Sequence, residues 1–209
     1  MAQVRSPQSG RAIVAFDFDG TMTIEDSFSA FLKWRAGPLR WWTGLLRLIP
    51  AGLAYVFIHR DRGRIKIDAV KHFLQGIPRT QLEADAKRFA EENLARLMRP
   101  DAVKAFKAWQ GQDVGLYIVT ASPEVVVAPF AKALGGHGVI GTILTYDAED
   151  RVTGEFEGLN SRGPEKVVRL KTAFGPDMRL LAAYGDTSGD TEMLAMAEQP
   201  HFRVFTGRP

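Results

Sequence analysis

An α/β fold with a doubly wound, mostly parallel sheet is predicted by three apolar segments of strand type, residues 12–16, 115–119 and 180–184. Each segment ends in a short polar loop, and helical patterns separate the segments along the chain. This alternation is typical of parallel sheets that are covered by helices on both faces. Because the carboxyl ends of parallel strands lie at one edge of a sheet, the polar loops are expected to form one site.

The first strand ends in two acidic residues, Asp17 and Asp19, which are followed by Gly20. Carboxylates at one strand end repel each other unless a cation lies between them, and hard divalent metals such as Mg²⁺ take oxygen ligands. The motif is therefore interpreted as half of a metal site. Asp-Gly is also a common turn signal, so a plain turn is the alternative when this motif is considered alone.

Polar residues also follow the second and third strands. Thr120 and Ala121 end the second strand, where a hydroxyl and the following amides suit phosphate oxygens, although Thr and Ser also cap helices. Lys166 falls near the start of a later helical pattern, where an ordinary solvated lysine is the alternative. Asp186 and Asp190 lie in a glycine-rich loop after the third strand, and Asp190 also suits a helix N-cap.

In chain order these groups read Asp-x-Asp, Thr, Lys and Asp-x-x-x-Asp, which resembles the four motifs of the haloacid dehalogenase superfamily of phosphohydrolases. The resemblance covers nearly the whole length and implies a Rossmann-like core that forms an aspartyl phosphate. It implies Asp17 as the nucleophile and Asp19 as the general acid and base. It also implies that Thr120, Ala121 and Lys166 hold the phosphoryl oxygens.

The same resemblance implies Mg²⁺ as the cofactor. The side chains of Asp17 and Asp186 and the main-chain carbonyl of Asp19 would bind the ion, with Asp190 assisting directly or through water. The ion would let an anionic nucleophile approach an anionic substrate. Response-regulator receivers combine similar residues, but they usually carry adjacent acids on the first strand, whereas Phe18 separates the two acids here.

Within the superfamily, the residues of the motifs resemble those of subfamily IB, which includes phosphoserine phosphatase. Residues 26–28, the basic apolar segment described below and the Gly-Pro-Glu-Lys helix start resemble the phosphatidylglycerophosphatase C branch more closely. Phosphoserine phosphatases carry an arginine near the position of Val70 and an asparagine at that of Gly189, so this chain departs from them twice. Asp26 is a candidate substrate contact, with a helix cap as the alternative.

The motifs divide the chain into a hydrolase core at 1–25 and 111–209 and a helical cap at 26–110. Residues 80–109 have the spacing of amphipathic helices, with a break at Arg99–Pro100. With 209 residues, 45% of them hydrophobic, the chain is long enough for one core and an insertion. It has no cysteine, which excludes disulfides and thiol catalysis, and its polar start predicts a cytoplasmic protein.

The segment 41–58 is unusually apolar, contains one charged residue and is about long enough to span a bilayer. A single crossing would place Asp17 on the opposite side of the membrane from the later motifs. Because Pro50 and Gly52 interrupt the segment, two short helices that enter and leave the same side are predicted. The alternatives are a buried pair of cap helices and oligomer contacts through Trp41 and Trp42, and the oligomeric state stays open.

Positive charge is concentrated around this segment. Residues 31–79 contain ten Lys and Arg against two Asp, a net charge of +8, whereas the whole chain carries +3. Anionic lipid head groups at the inner face of the cell membrane are the expected partner. Nucleic acid is not expected, because the basic residues surround long aliphatic runs rather than alternating with stacking residues.

The sequence therefore predicts a Mg²⁺-dependent phosphomonoesterase. A lipid phosphate of the phosphatidylglycerophosphate type is the leading substrate, and a small soluble phosphomonoester such as phosphoserine is the alternative. A phospho-receiver or a membrane-associated regulator without catalysis is the non-enzyme alternative. The presence of all six polar motif residues favours the hydrolase; these are Asp17, Asp19, Thr120, Lys166, Asp186 and Asp190.

Overall fold

The computed structural model describes residues 11–54 and 62–209, and the side chains of 45–54, 62 and 63 are outside this description. Its elements, in chain order, are β1 Ala12–Phe16, α1 Ser27–Ala54, α2 Arg62–Leu74, α3 Arg79–Leu97, α4 Pro100–Ala108, β2 Val114–Pro123, α5 Glu124–Ala133, β3 Gly138–Tyr146, β4 Val152–Glu157, α6 Pro164–Phe174, β5 Leu180–Gly185, α7 Thr191–Met196 and β6 Gln199–Phe202.

The strands form one six-stranded sheet in the order β4-β3-β2-β1-β5-β6. All neighbours pair in parallel except β3 and β4, which pair as an antiparallel hairpin. Strand β1 lies between β2 and β5, so the three predicted strands are adjacent. The predicted α/β class and mostly parallel sheet are confirmed, and the carboxyl ends of these three strands meet at one edge.

Both faces of the sheet are buried, which explains the continuous apolar runs. Val14 and Phe16 pack into the core on one face, whereas Ile13 and Ala15 pack into a separate cluster on the other. Successive side chains of a strand point to opposite faces, so a strand covered on both sides must be apolar throughout. This packing fixes the strand ends relative to one another.

Helix α1 opens the cap and is kinked at Gly37, whose φ of 71° and ψ of 168° lie outside the helical region. The kink lies directly before Pro38, and a residue before proline is disfavoured in the helical conformation. The break expected at Pro50 and Gly52 is wrong, because α1 stays helical through both to Ala54. The fixed φ of proline is itself helical, so Pro50 removes one hydrogen bond without ending the helix.

The apolar segment 41–58 is only partly described. Its backbone is helical to residue 54, and residues 55–58 lie outside the described residues. Trp41 stacks on Phe73 of α2 with ring centroids 5.6 Å apart, whereas Trp42 is 66% exposed. Within the described ranges, no helix combines the length and apolar character needed to cross a membrane.

Besides its two ends, the cap also contacts the sheet at the turn between α2 and α3. The turn between α2 and α3 pairs with β4, because Gly76 N–H donates to the Val152 carbonyl and Val152 N–H donates to the Ile77 carbonyl. Helix α4, which the predicted boundary at residue 110 assigns to the cap, contacts the sheet through Phe106, whose ring lies 5.1 Å from that of Phe16. The division into core and cap stays a prediction.

Candidate active site

The polar groups predicted from the four motifs converge at the carboxyl edge of β1, β2 and β5. Asp17 directly follows β1, and its N–H donates to the carbonyl of Tyr184 in β5 at 2.9 Å. Asp17 is 6% exposed, although a carboxylate is rarely buried without a partner. The neighbouring strands therefore hold this carboxylate in a fixed position inside the protein.

Lys166 is the partner of Asp17. Its ammonium lies 2.6 Å from Asp17 Oδ1, 2.7 Å from Asp190 Oδ1 and 2.8 Å from the carbonyl oxygen of Val119. These contacts use all three protons of the ammonium group. Lys166 is 2% exposed, so the interpretation as a solvated surface lysine does not apply.

Asp190 does not cap helix α7 with its side chain. Its Oδ1 accepts from Lys166, and its Oδ2 accepts from the N–H and the hydroxyl of Thr187, both at 3.0 Å. Asp190 therefore shapes the loop that carries Asp186 while it binds the ammonium. Thr21 connects the loop to β1, because its hydroxyl lies 2.9 Å from Asp17 Oδ2 and 3.2 Å from Asp186 Oδ1.

Three of the predicted metal ligands form one cluster, since a carboxylate oxygen from each of Asp17, Asp186 and Asp190 lies within 4.8 Å of the others. Gly20 allows this approach: its φ is 86°, and a Cβ there would lie 2.8 Å from Asp186 Oδ2. One buried ammonium cannot neutralise three acidic groups. The donor set therefore fits a hard divalent cation such as Mg²⁺.

The pKa of Asp17 is raised from 3.8 to about 7, mainly because the carboxyl group is buried. The charge of Lys166 opposes this rise, and the charge of Asp190 adds to it. Burial also raises the pKa of Asp186. For Asp190 the charge and hydrogen bond of Lys166 outweigh burial, so its pKa is lowered. The charges of Asp17 and Asp190 likewise outweigh burial at Lys166 and raise its pKa.

Asp19 lies beside the end of β2. Its Oδ2 accepts from the hydroxyl of Ser122 at 2.5 Å and from that of Thr120 at 3.3 Å, while its Oδ1 accepts from the N–H of Ser27 at 2.7 Å. Thr120 is fully buried and also accepts from the N–H of Ser122 at 3.0 Å. The two residues with predicted roles in proton transfer and phosphate binding are thus in direct contact.

The cap reaches the site through Lys66 of α2. Its ammonium donates to the carbonyl of Ala121 at 3.1 Å, and the Thr142 hydroxyl donates to the same oxygen at 3.0 Å. Asp26, by contrast, caps helix α1: its Oδ1 accepts from the N–H of Ser29 at 2.7 Å. The structure thus shows the capping geometry for Asp26, and a substrate contact there stays a prediction.

Sequence reasoning assigned no role to Thr21, Ser122 or Lys66, although all three contact the predicted site residues. Thr21 and Ser122 stand within the motifs that carry the resemblance, so their spacing was a usable signal. Lys66 had none, because it is one of several basic residues in a long helical insertion. At Gly189 the missing side chain leaves room for Arg162, whose Nη1 would lie 2.6 Å from a Cβ there.

Comparison with known proteins tests the family that the motifs predict. The family model for haloacid dehalogenase-like hydrolases matches residues 14–195. The protein CicA of Caulobacter vibrioides (strain NA1000 / CB15N) is 55% identical over 197 residues, which cover 94% of this chain and 88% of CicA. Each of the four motifs lies within the range that the family model matches.

Solved structures share the fold at lower identity. A protein of unknown function from Bordetella pertussis Tohama I superposes with a TM-score of 0.72 at 22% identity, over 90% of this chain and 87% of that chain. A substrate-bound phosphoserine phosphatase superposes with a TM-score of 0.57 at 17% identity, over 91% and 84%. At these identities the likeness is one of fold.

Proposed function

Because the chain belongs to the haloacid dehalogenase-like hydrolase family, we propose that it is a Mg²⁺-dependent phosphomonoesterase that forms an aspartyl phosphate on Asp17. The observation that carries this proposal is the buried contact of Lys166 with both Asp17 and Asp190 beside Asp186. Such a cluster is costly to bury for stability alone. It provides a fixed nucleophile and a place for a divalent cation.

In the first step, an oxygen of Asp17 attacks phosphorus while the bond from phosphorus to the leaving oxygen breaks. Asp19 gives its proton to that oxygen, so the product leaves as an alcohol. Thr120 and the N–H of Ala121 hold the phosphoryl oxygens, and Lys166 supplies positive charge beside the nucleophile. Phosphoryl transfer depends mainly on such positioning and charge.

In the second step, Asp19 takes a proton from water as the water oxygen attacks the phosphorus of the aspartyl phosphate. The bond to Asp17 breaks, which returns Asp17 as a carboxylate and Asp19 as an acid. When bound by Asp17, Asp186 and the carbonyl of Asp19, with Asp190 close by, Mg²⁺ supplies charge that keeps the nucleophile ionised and offsets repulsion from the substrate.

For the substrate we propose a lipid phosphate of the phosphatidylglycerophosphate type, as in the phosphatidylglycerophosphatase C branch of subfamily IB. Two features of the cap support this proposal. Leu39 is 80% exposed and Trp42 is 66% exposed on the part of α1 beyond the kink, with Arg40 between them. Lys66 places a cation beside Ala121, where a second anionic group of such a lipid is expected to lie.

A location at the inner face of the cell membrane follows from the same proposal. Exposed apolar side chains beside basic residues are typical of surfaces that bind the interface of an anionic membrane. Reaching a phosphate in a head group requires the site and this surface to face the bilayer together. We therefore expect a peripheral protein on the cytoplasmic side.

The second candidate is a phosphatase of small soluble phosphomonoesters. It is supported by the fold shared with a phosphoserine phosphatase and by the position of Asp26, half-buried at the start of α1. In this reading Leu39 and Trp42 contact another protein or a second copy of the chain. The core chemistry is the same under both candidates.

The deciding experiment measures Mg²⁺-dependent phosphate release from phosphatidylglycerophosphate, lysophosphatidate, phosphoserine and small sugar phosphates. Asp17→Asn protein serves as the blank. We expect the largest kcat/KM for the lipid phosphates, and Lys66→Met is expected to reduce this preference. A preference for soluble esters would contradict the lipid proposal but keep the phosphatase, whereas no release from any ester would contradict both.

A further inference from the structure

We infer that Ser122 is a positioning residue for proton transfer by Asp19, an inference that rests on the phosphomonoesterase function proposed above. The Ser122 hydroxyl donates to Oδ2 of Asp19, so Oδ1 is the oxygen that gives and takes the proton. Ser122 is fully buried at the end of β2, and its Oγ lies 2.5 Å from Asp19 Oδ2.

The hydrogen bonds that Asp19 accepts, compared with its lone pairs, show which acceptor site is unused. A carboxylate offers about four acceptor sites, two on each oxygen. Oδ2 has both sites used, by the hydroxyls of Ser122 and Thr120, and Oδ1 has one site used, by the N–H of Ser27. Among the described contacts, the remaining site of the carboxylate is on Oδ1. The proton that passes to the leaving oxygen is therefore carried by Oδ1.

Ser122 is the partner of Oδ2 that persists when a substrate is bound. The Thr120 hydroxyl has one proton, and in the proposed mechanism it turns toward a phosphoryl oxygen. Its present bond to Asp19 is also the longer one, 3.3 Å against 2.5 Å for Ser122. Once Thr120 has turned away, Ser122 alone keeps Oδ2 occupied. Without it, the proton of Asp19 can reside on either oxygen and the carboxyl group can rotate.

The backbone around Ser122 keeps its hydroxyl in place. Its N–H donates to Thr120 Oγ1 at 3.0 Å, and the carbonyl on the other side of the same peptide, that of Ala121, accepts from both Lys66 and Thr142. This peptide is therefore held at both ends, from the core and from the cap. Among the described contacts, only hydroxyl groups donate to Asp19 Oδ2, and no lysine or amide N–H does so.

The role is tested by comparing two esters that differ in how much their leaving group needs a proton. Benzyl phosphate releases an alkoxide unless it is protonated, whereas p-nitrophenyl phosphate releases a stable phenolate. We compare kcat/KM with Mg²⁺, because it contains only the steps up to departure of the leaving group. This measure excludes the later hydrolysis of the aspartyl phosphate, in which Asp19 acts as a base.

Ser122→Ala is expected to lower kcat/KM about tenfold or more on benzyl phosphate and less than about threefold on p-nitrophenyl phosphate. Ser122→Thr keeps the hydroxyl and is expected to restore most of the activity on benzyl phosphate. Ser161→Ala is the matched control, since Ser161 is also fully buried but its hydroxyl has no hydrogen-bond partner within the described residues. It should leave both rates near the wild-type values.

Asp19→Asn separates positioning from a structural effect. If Ser122 acts through Asp19, adding Ser122→Ala to Asp19→Asn should cause no further loss of selectivity between the two esters. Thermal unfolding confirms that each variant is folded, and Ser122→Cys, which has a weaker donor, replaces Ser122→Ala if that protein does not fold.

Equal losses on both esters, or no loss on benzyl phosphate, would overturn the role of Ser122 and keep the proposed phosphatase. A further loss of selectivity in the double variant would overturn it as well. If the wild-type protein releases phosphate with Mg²⁺ from no ester, phosphatidylglycerophosphate included, the proposed function fails and the role of Ser122 fails with it.

Discussion

The carboxyl edge of the sheet buries charge, whereas the part of helix α1 beyond Gly37 exposes apolar side chains. At the sheet edge, Lys166 is 2% exposed and Asp17 is 6% exposed, and both have several hydrogen-bond partners. On α1, Leu39 is 80% exposed and Trp42 is 66% exposed. Each region reverses the usual distribution of polar and apolar groups in a soluble domain.

The two reversals point to different kinds of partner. Buried acids that one lysine cannot neutralise indicate a small cation and an anionic substrate. Exposed aromatic and aliphatic groups beside an arginine indicate a surface that is covered by something apolar. The chemistry is therefore determined at the sheet edge, and the choice of substrate is expected to be determined by the cap. Four predictions test this division, in order of decreasing effect.

Replacing the nucleophile tests the sheet edge most directly. Asp17→Asn should lower kcat by at least about 10³-fold and abolish the phosphoenzyme, because an amide does not attack phosphorus. The measurement is phosphate release from any accepted ester, together with trapping of labelled enzyme. The variant should unfold no more easily than wild type without Mg²⁺, since it removes a buried charge. Undiminished turnover would remove Asp17 from the mechanism.

Removing the buried ammonium should damage stability as well as activity. Lys166→Met leaves Asp17 and Asp190 buried without their shared cation, and breaking such a pair costs about 3–5 kcal/mol of unfolding free energy. Urea unfolding in the presence of a chelator measures this loss. Lys171→Met, at an exposed position of the same helix α6, is the control and should change little. Equal unfolding free energies for the two variants would show that the buried pair is unimportant for folding.

Stabilisation by Mg²⁺ should depend on pH. Burial raises the pKa of Asp17 in the folded protein to about 7, whereas an ordinary aspartate has a pKa near 3.8. Between these values the folded protein binds more protons than the unfolded chain, so its stability falls as pH rises. Burial raises the pKa of Asp186 in the same direction, while the lowered pKa of Asp190 acts below this window.

The increase in Tm on adding Mg²⁺ should therefore be larger at pH 8 than at pH 5, because the ion replaces the proton that Asp17 loses. Thermal unfolding with Mg²⁺ and with chelator at both pH values provides the comparison. Asp17→Asn protein should lose most of the pH dependence. A shift of equal size at the two pH values would count against a metal bound by Asp17.

The exposed surface of α1 should affect membrane binding but not the rate of phosphate ester hydrolysis. Replacing Leu39 and Trp42 together by Ser should weaken binding to phosphatidylglycerol vesicles by about fivefold or more, because each side chain would otherwise bury apolar area. Hydrolysis of p-nitrophenyl phosphate should stay near the wild-type rate. Val168→Ser, at an exposed apolar position on α6, is the control for a general loss of hydrophobicity.

Vesicle sedimentation at low and high salt measures this binding. Phosphatidylcholine vesicles should bind more weakly than phosphatidylglycerol vesicles, and added salt should reduce the difference, since the basic residues of the cap act through long-range charge. If the double variant and Val168→Ser bind vesicles alike, the surface formed by Leu39 and Trp42 is not the membrane contact. A protein partner would then be the better explanation.

The α/β class, the positions of the three central strands and the family could be predicted from the sequence alone. Apolar runs that are buried on both sheet faces are readable without a structure, and so is the order of Asp17, Thr120, Lys166 and Asp186 along the chain. The break of α1 was misplaced at Pro50 because proline tolerates the helical φ, whereas the pair Gly37 and Pro38 does not continue the helix. At such positions, local signals for continuing a helix compete with signals for ending it.

Which side chains share a proton or a charge became clear from the folded structure alone. Ser122 contacts Asp19 across 103 residues of sequence and Lys66 contacts Ala121 across 55, and no local pattern encodes these distances. The sequence singled out Lys166 as a motif residue, but only the packing of α6 against β2 showed that its ammonium lies between Asp17 and Asp190. Side-chain partners depend on how strands and helices pack, and packing is a property of the whole fold.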